Sequence, residues 1–182
     1  MKVGNIMKRL NLKKSRRSQH GFTLIETAVA TLIMFVGLLA VAQLVATSVF
    51  LNSANRDDST AMVLAQNELN QFVGQQLSSF TYTDTLGNVC TLGNSGTTGS
   101  FVGSPIATSN DNRQVIDFSQ GTVAGYSFTW ADPNDPSGAR YDLRWAVYSF
   151  SNGSGKRFIV GARKLGGNVP FYPVNLDTMV QK

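Results

Sequence analysis

From Thr27 to Leu51 the chain is apolar almost without interruption, broken only by Gln43 and by small Thr, Ser and Gly residues. No charged side chain occurs anywhere between residues 27 and 55. As a helix rising about 1.5 Å per residue, these 25 residues reach roughly 37 Å, enough to cross a hydrocarbon core of about 30 Å. A buried core helix is the competing reading. Such helices seldom stay uncharged for so long, and a basic cluster at one flank favours the membrane.

After Leu51 the sequence turns polar over residues 52–60 and then becomes amphipathic. Met62, Ala65, Leu69, Phe72, Val73, Leu77 and Phe80 recur at spacings of three and four, a one-sided helical stripe over about 61–80 that predicts a packing face. Asp57 and Asp58 leave two arrangements open: one continuous helix, or a second helix that starts at these acids. Residues 84–112 are dominated by Gly, Ser, Thr and Asn and predict a long loop, with a short strand near Phe101–Val102.

Four runs then alternate as strands do. Residues 113–119 place Ile116 and Phe118 on one face, and residues 122–131 alternate Tyr126, Phe128 and Trp130 with Ser127 and Thr129. Residues 140–150 set Tyr141, Leu143, Trp145 and Val147 against Arg140, Asp142, Arg144 and Ala146; residues 156–165 carry Phe158, Val160 and Ala162. Turn signals at 132–138 and 151–155 separate them. The expected fold is α+β: a long N-terminal helical spine at 22–80, a loop region at 81–112, and a small antiparallel β-meander head at 113–182 with one face on the helix.

Charge sharpens the division. Lys2, Lys8, Arg9, Lys13, Lys14, Arg16 and Arg17 precede the apolar run with no acid among them, and Arg56 alone follows closely, which predicts a cytoplasmic N-terminus. Without residues 1–21 the chain has nine basic and eleven acidic side chains, a net of −2. The whole-chain pI of 9.6 therefore gives no reason to expect nucleic acid. Cys90 is the single cysteine and His20 the single histidine. A chain trimmed of His20 has no means to build a His-based triad or a zinc site of the usual ligands. No cofactor and no enzymatic activity are expected. Cys90 reads as an unreactive thiol, with an intermolecular disulfide as the minor option.

Before the apolar run stands G-F-T-L-I-E, Gly21 to Glu26. A basic leader, Gly21, the aromatic Phe22, the T-L-I-E run and the apolar helix occur in the order found in type IV prepilins, including the pseudopilins of type II secretion, and the chain resembles that family. The resemblance implies that residues 1–21 are a leader, from Met1 or from Met7, that a prepilin peptidase cuts after Gly21, and that the new amine of Phe22 is methylated. It implies an inner-membrane anchor at about 27–51, a periplasmic head, and partners in the peptidase, the assembly platform, membrane lipid and other pilin subunits. Gly21 has no side chain, so an extended backbone can approach the protease closely. Glu26 is costly in an apolar helix, by about 2.5–3.5 kcal/mol at the bilayer centre. It either snorkels to the surface or is buried in a filament against the Phe22 amine of a neighbour, the pairing the family uses for register.

Softer features narrow the type. Gln43 stands where many major pilins carry a helix-bending proline, and Val36–Leu44 and Ala61–Leu69 look like V-type minor pilins and I-type minor pseudopilins. A lone cysteine also departs from the disulfide-closed loop common in major pilins. The expectation is a non-enzymatic minor pilin, with a type II secretion pseudopilin as the rival and a filament-tip module binding DNA or a surface ligand as a third reading. Two clusters bear on that third reading. Asp132, Asn134 and Asp135 offer oxygen ligands for calcium, although the spacing is not that of an EF-hand and a plain hairpin turn is the simpler reading. Arg140, Arg144, Lys156, Arg157, Arg163 and Lys164 face only Asp142 within residues 140–164, a local net of +5 that fits either a solvated strand surface or a DNA contact.

Overall fold

The computed structural model describes residues 21–133, 135, 138–151, 153–166 and 173–181. Helix α1 runs Leu24–Val73. Nine strands follow: β1 Thr81–Thr83, β2 Val89–Thr91, β3 Phe101–Gly103, β4 Ile106–Thr108, β5 Gln114–Ile116, β6 Ser127–Ala131, β7 Arg140–Ser149, β8 Gly155–Leu165 and β9 Val174–Gln181. The chain divides into two compact units, residues 1–47 and residues 48–182.

In the first unit the helix carries exposed Leu32, Ile33, Phe35, Leu38, Leu39 and Leu44, and is long and apolar enough to cross a membrane. Its hydroxyls are satisfied by its own backbone. Thr31 Oγ1 donates to the Ala28 carbonyl at 2.9 Å and Thr47 Oγ1 to that of Gln43 at 2.9 Å, so neither exposes an unpaired donor to hydrocarbon.

In the second unit α1 is unbroken through residues 52–60, which resolves the two arrangements in favour of one helix. Its buried stripe is Asp57, Ala61, Ala65, Glu68 and Phe72, one face at spacings of three and four. This stripe is rotated from the one expected. Ala65 and Phe72 belong to both, but Met62 and Val73 are exposed at 46% and 41%. The reason is polar: Asp57 and Glu68 are both 2% exposed and have partners in the strands, so the buried face includes two acids that an apolar count assigns to solvent. The helix also ends at Val73, short of the expected 80. Gly74 disfavours its continuation by about 1 kcal/mol relative to alanine, and residues 74–80 turn back toward β1.

Ala61 and Ala65 let the sheet approach the helix closely, and Phe72 supplies the bulk. Its ring lies 5.2–5.8 Å from those of Tyr82, Trp145 and Phe158. Tyr141, Leu143, Val147, Val160 and Ala162 complete that core. Truncating an aromatic in such a place typically costs about 3–5 kcal/mol.

The main sheet is antiparallel throughout. β9, β8 and β7 lie side by side, and the other edge of β7 is shared by β6 along Arg140–Arg144 and by β3 along Ala146–Tyr148. The meander is thus β6–β7–β8–β9, and Val174–Gln181 lies outside the four runs read from the sequence. Residues 114–116 do not join it: β5 pairs with β4 in a separate hairpin. The presumed loop region also holds a further hairpin, β1–β2, while Phe101–Gly103 is a strand. The far face of the sheet is covered by a second small core of Ile116, Phe118, Ala146 and Ile159. Consequently β7 is buried on both faces from Tyr141 to Val147, rather than half solvated. Two glycines permit close approaches, one on each core. A Cβ at Gly161 would come 2.9 Å from Ile116, and one at Gly103 (φ 109°) would come 2.4 Å from the Tyr126 ring. The chain is α+β, with one long N-terminal apolar helix and antiparallel sheets packed on it.

Two expectations follow from the helix–sheet contact. A fragment spanning 52–182 should be soluble with one cooperative thermal transition, whereas a fragment spanning 81–182 should aggregate, because it exposes the face that Ala61, Ala65 and Phe72 cover. Equal behaviour of the two in size-exclusion chromatography and thermal melts would mean that the stripe is dispensable. The second expectation concerns Glu68. Burial pushes its carboxyl above the ordinary value, against the hydrogen bond from Tyr82, and nearby Asp84 adds to the rise. Stability from the neutral form is then full below the ordinary carboxylate range and is lost as pH rises through the raised value. Glu68→Gln does not ionise, so its melting temperature relative to wild type should be higher at about pH 8 than at about pH 4. A difference independent of pH would contradict this.

Candidate functional site

Gly21, Phe22 and Thr23 precede the first helical turn. Thr23 caps that turn: its Oγ1 accepts the Glu26 backbone N–H at 3.3 Å, and its carbonyl accepts the Thr27 N–H at 3.1 Å. The cap places Glu26 in the first turn, where a carboxylate meets the partial positive charge of the helix N-terminus. Around it the surface is apolar and open. Phe22 is 83% exposed, and Ile25 and Val29 flank the carboxylate. Among the described residues Glu26 has no salt bridge. Among the described residues nothing lies within 4 Å of a Cβ placed on Gly21. Residues 1–20, including the N-terminal basic cluster and His20, lie outside the described residues.

The acids of the second unit are placed differently. Asp57 accepts from Lys164 Nζ at 2.7 Å. Glu68 accepts the Tyr82 hydroxyl at 2.5 Å, and the Cys90 thiol donates to it at 3.5 Å. Asp84 accepts two backbone N–H groups, of Leu86 and Asn88, and the Asn88 amide at 2.8 Å. Glu68, Asp84 and Cys90 bring their ligand-type atoms within 4.8 Å of one another, but both carboxylates already accept internal hydrogen bonds and the Cys90 thiol itself donates to Glu68. Cys90 is fully buried, and burial beside Glu68 pushes its thiol well above the usual range, so it is a poor nucleophile. This cluster escapes sequence reasoning because its members are separated in the chain and sit on three different elements. The only signal was Glu68 on the Ala61–Ala65–Phe72 face.

The positive segment at 140–164 dissolves as a surface patch. Arg144 pairs with Asp142 at 2.9 Å, both nearly buried, donates to the Gln120 carbonyl and lies over the Phe118 ring. Arg163 approaches Asp142 from β8 and stacks on the same ring. Arg157 pairs with Asp177 of β9, and Lys164 with Asp57 of α1. Lys156 donates to two backbone carbonyls. Arg140 is exposed. The local count of +5 arose because Asp57 and Asp177 lie outside the segment in sequence and opposite it in space.

Of the calcium candidates, Asn134 lies outside the described residues. Asp135 is engaged by Arg56 Nη2 at 2.9 Å. The backbone closes a turn there, with Asp132 N–H donating to the Ala139 carbonyl at 3.0 Å and Gly138 N–H to that of Asp135 at 2.9 Å. Asp132 and Asp135 therefore sit at a hairpin connection between β6 and β7.

Comparison with known proteins bears on the N-terminal segment. Residues 16–42 match the family model described as the prokaryotic N-terminal methylation motif. No curated protein and no solved structure matches the chain. The matched span contains Gly21, Phe22, the Thr23 cap, Glu26 and the first half of the apolar run. A motif of this kind implies processing by prepilin peptidase and assembly with other pilin subunits. The N-terminal segment of this chain is a type IV pilin-like methylation signature carried on a membrane-anchoring apolar helix.

Proposed function

We propose that the chain is a non-enzymatic minor subunit of a type IV pilus. The peptidase cuts after Gly21 on the cytoplasmic side, the amine of Phe22 is methylated, and the apolar half of α1 holds the subunit in the inner membrane with residues 48–182 in the periplasm. Assembly then draws the helix out of lipid and into a filament of similar helices. The observation that carries this reading is Glu26: a carboxylate capped into the first turn of an exposed apolar helix, with no cation of its own chain paired to it among the described residues. Burying such a group unpaired costs about 3–5 kcal/mol, whereas a neighbour's N-terminal amine neutralises it at one register and no other. The same interaction therefore drives assembly and fixes its step.

The minor-subunit assignment is supported by Gln43, through which α1 continues as helix, and by the lone buried Cys90, which leaves no disulfide-closed loop. A type II secretion pseudopilin shares both features and is the rival within the family. The internal pairing of Arg144, Arg157, Arg163 and Lys164 argues against a DNA-binding tip. A deletion strain scored for surface pili and for secreted enzymes separates pilus from secretion filament.

Mass spectrometry of the membrane-extracted protein should give an N-terminus at Phe22 carrying one methyl group; wild-type cells that retain residues 1–21 would contradict the cleavage. Glu26→Ala should leave abundance in membranes unchanged and lower abundance in sheared filaments about tenfold or more, since about 1.4 kcal/mol already corresponds to tenfold. Equal incorporation of variant and wild type would remove the pairing role.

A further inference from the structure

Beyond the end of α1, the helix-facing side of the sheet continues to Ser149 of β7 and Lys156 of β8, which are paired across the strands. Residues 76–80 and 94–98 stand off from these strand ends and leave a cavity of about 690 Å3. That volume lies within the roughly 300–1,000 Å3 typical of small-molecule sites. Among the described residues that line it none is acidic. Asn94, Ser95 and Thr98 form one wall with exposed amide and hydroxyl groups, and Phe80, 38% exposed, offers a ring face on another.

Lys156 is the unusual member of this lining. It is 4% exposed, and its ammonium donates to the carbonyls of Ser79 at 2.6 Å and Leu92 at 2.9 Å and lies 4.9 Å from the centre of the Phe80 ring. Two of its three N–H groups are thereby used, both on neutral acceptors. Among the described residues no carboxylate is paired with it. Burial alone lowers its pKa, and no acid offsets that burial. The contrast with its neighbours is direct: Arg144, Arg157, Arg163 and Lys164 all have aspartates. Beside it Ser149 Oγ, also buried, has no hydrogen-bond partner among the described residues. A buried cation without an anion is costly unless something else completes it.

We propose that this cavity binds a small hydroxylated carboxylate of the uronic-acid type. The carboxylate neutralises Lys156, the ring hydroxyls bond to Asn94, Ser95 and Thr98, and the apolar face of the sugar ring lies on Phe80. A phosphate ligand fits less well. The lining offers one ammonium and no arginine fork, whereas phosphate recognition favours bidentate guanidinium or several cations.

The test is a ligand-observed NMR titration of the detergent-solubilised full chain with galacturonate and with galactose, which differ at the carboxylate. Galacturonate should bind saturably at millimolar concentration, and galactose at least about tenfold more weakly, the equivalent of about 1.4 kcal/mol. Lys156→Met should erase the difference between the two sugars. Thr98→Trp, which fills the cavity from an exposed wall position, should abolish galacturonate binding with an unchanged circular dichroism spectrum, and it reads the site even if Lys156→Met fails to fold. No saturable binding of galacturonate, equal binding of the two sugars, or binding untouched by Thr98→Trp would overturn the proposal and leave Lys156 as a tie between two backbone carbonyls.

Discussion

A carboxylate removed from water needs a donor or a cation, and most of this structure is arranged around that requirement. Asp57 and Glu68 bracket the place where the helix meets the sheet. Lys164 reaches the first from β8, and the Tyr82 hydroxyl reaches the second from β1. Between them Ala61 and Ala65 allow close approach, and Phe72 closes the contact against Trp145 and Phe158. The two polar anchors set the rotation of the helix about its axis, which a purely apolar stripe does only loosely. Hydrophobic burial supplies most of the attraction. The acids supply its register, in the way that buried polar groups specify one packing among several.

The far side of the sheet follows the same rule. Asp142 collects Arg144 and Arg163, and the Phe118 ring lies over both guanidinium groups. The β4–β5 hairpin then covers Ala146 and Ile159, an approach that Gly161 permits. Against this background two groups stand out. Among the described residues Glu26 is an acid with no cation paired to it, and Lys156 is a buried cation with no acid. The first lies in the segment that matches the N-terminal methylation motif, and the second in a cavity of the β-rich unit. Among the described residues both lack an ionic partner, and the proposed partner of each arrives from outside the chain.

Much of this was legible in the sequence where the signal was local. The uncharged run from Thr27, the basic flank and the Gly21–Glu26 motif are contiguous, so reading them needs no knowledge of the fold. The alternation of Tyr126, Phe128 and Trp130, and of Tyr141, Leu143 and Trp145, similarly reports strands β6 and β7. The departures lie at one local helix stop and where long-range pairing decides the outcome. Leu77 and Phe80 continue the helical period in sequence, yet Gly74 ends the helix first. Asp57 and Glu68 look like solvent-facing residues until Lys164 and Tyr82 are brought opposite them. The charge at 140–164 looked like a surface because Asp177 and Asp57 are remote in sequence. Val174, Leu176 and Val180 alternate as an edge strand should, but the strand's membership in the sheet is visible only in its pairing with β8.

The central claim is that the partner of Glu26 belongs to a neighbouring subunit of the filament. A cryo-electron microscopy map of filaments containing this subunit, at a resolution that shows side chains, measures it directly. The account predicts the Glu26 carboxylate within about 4 Å of the methylated amine at Phe22 of a neighbouring subunit, enclosed by apolar side chains. A carboxylate that faces solvent, or that is buried with no cation within that distance, would contradict it.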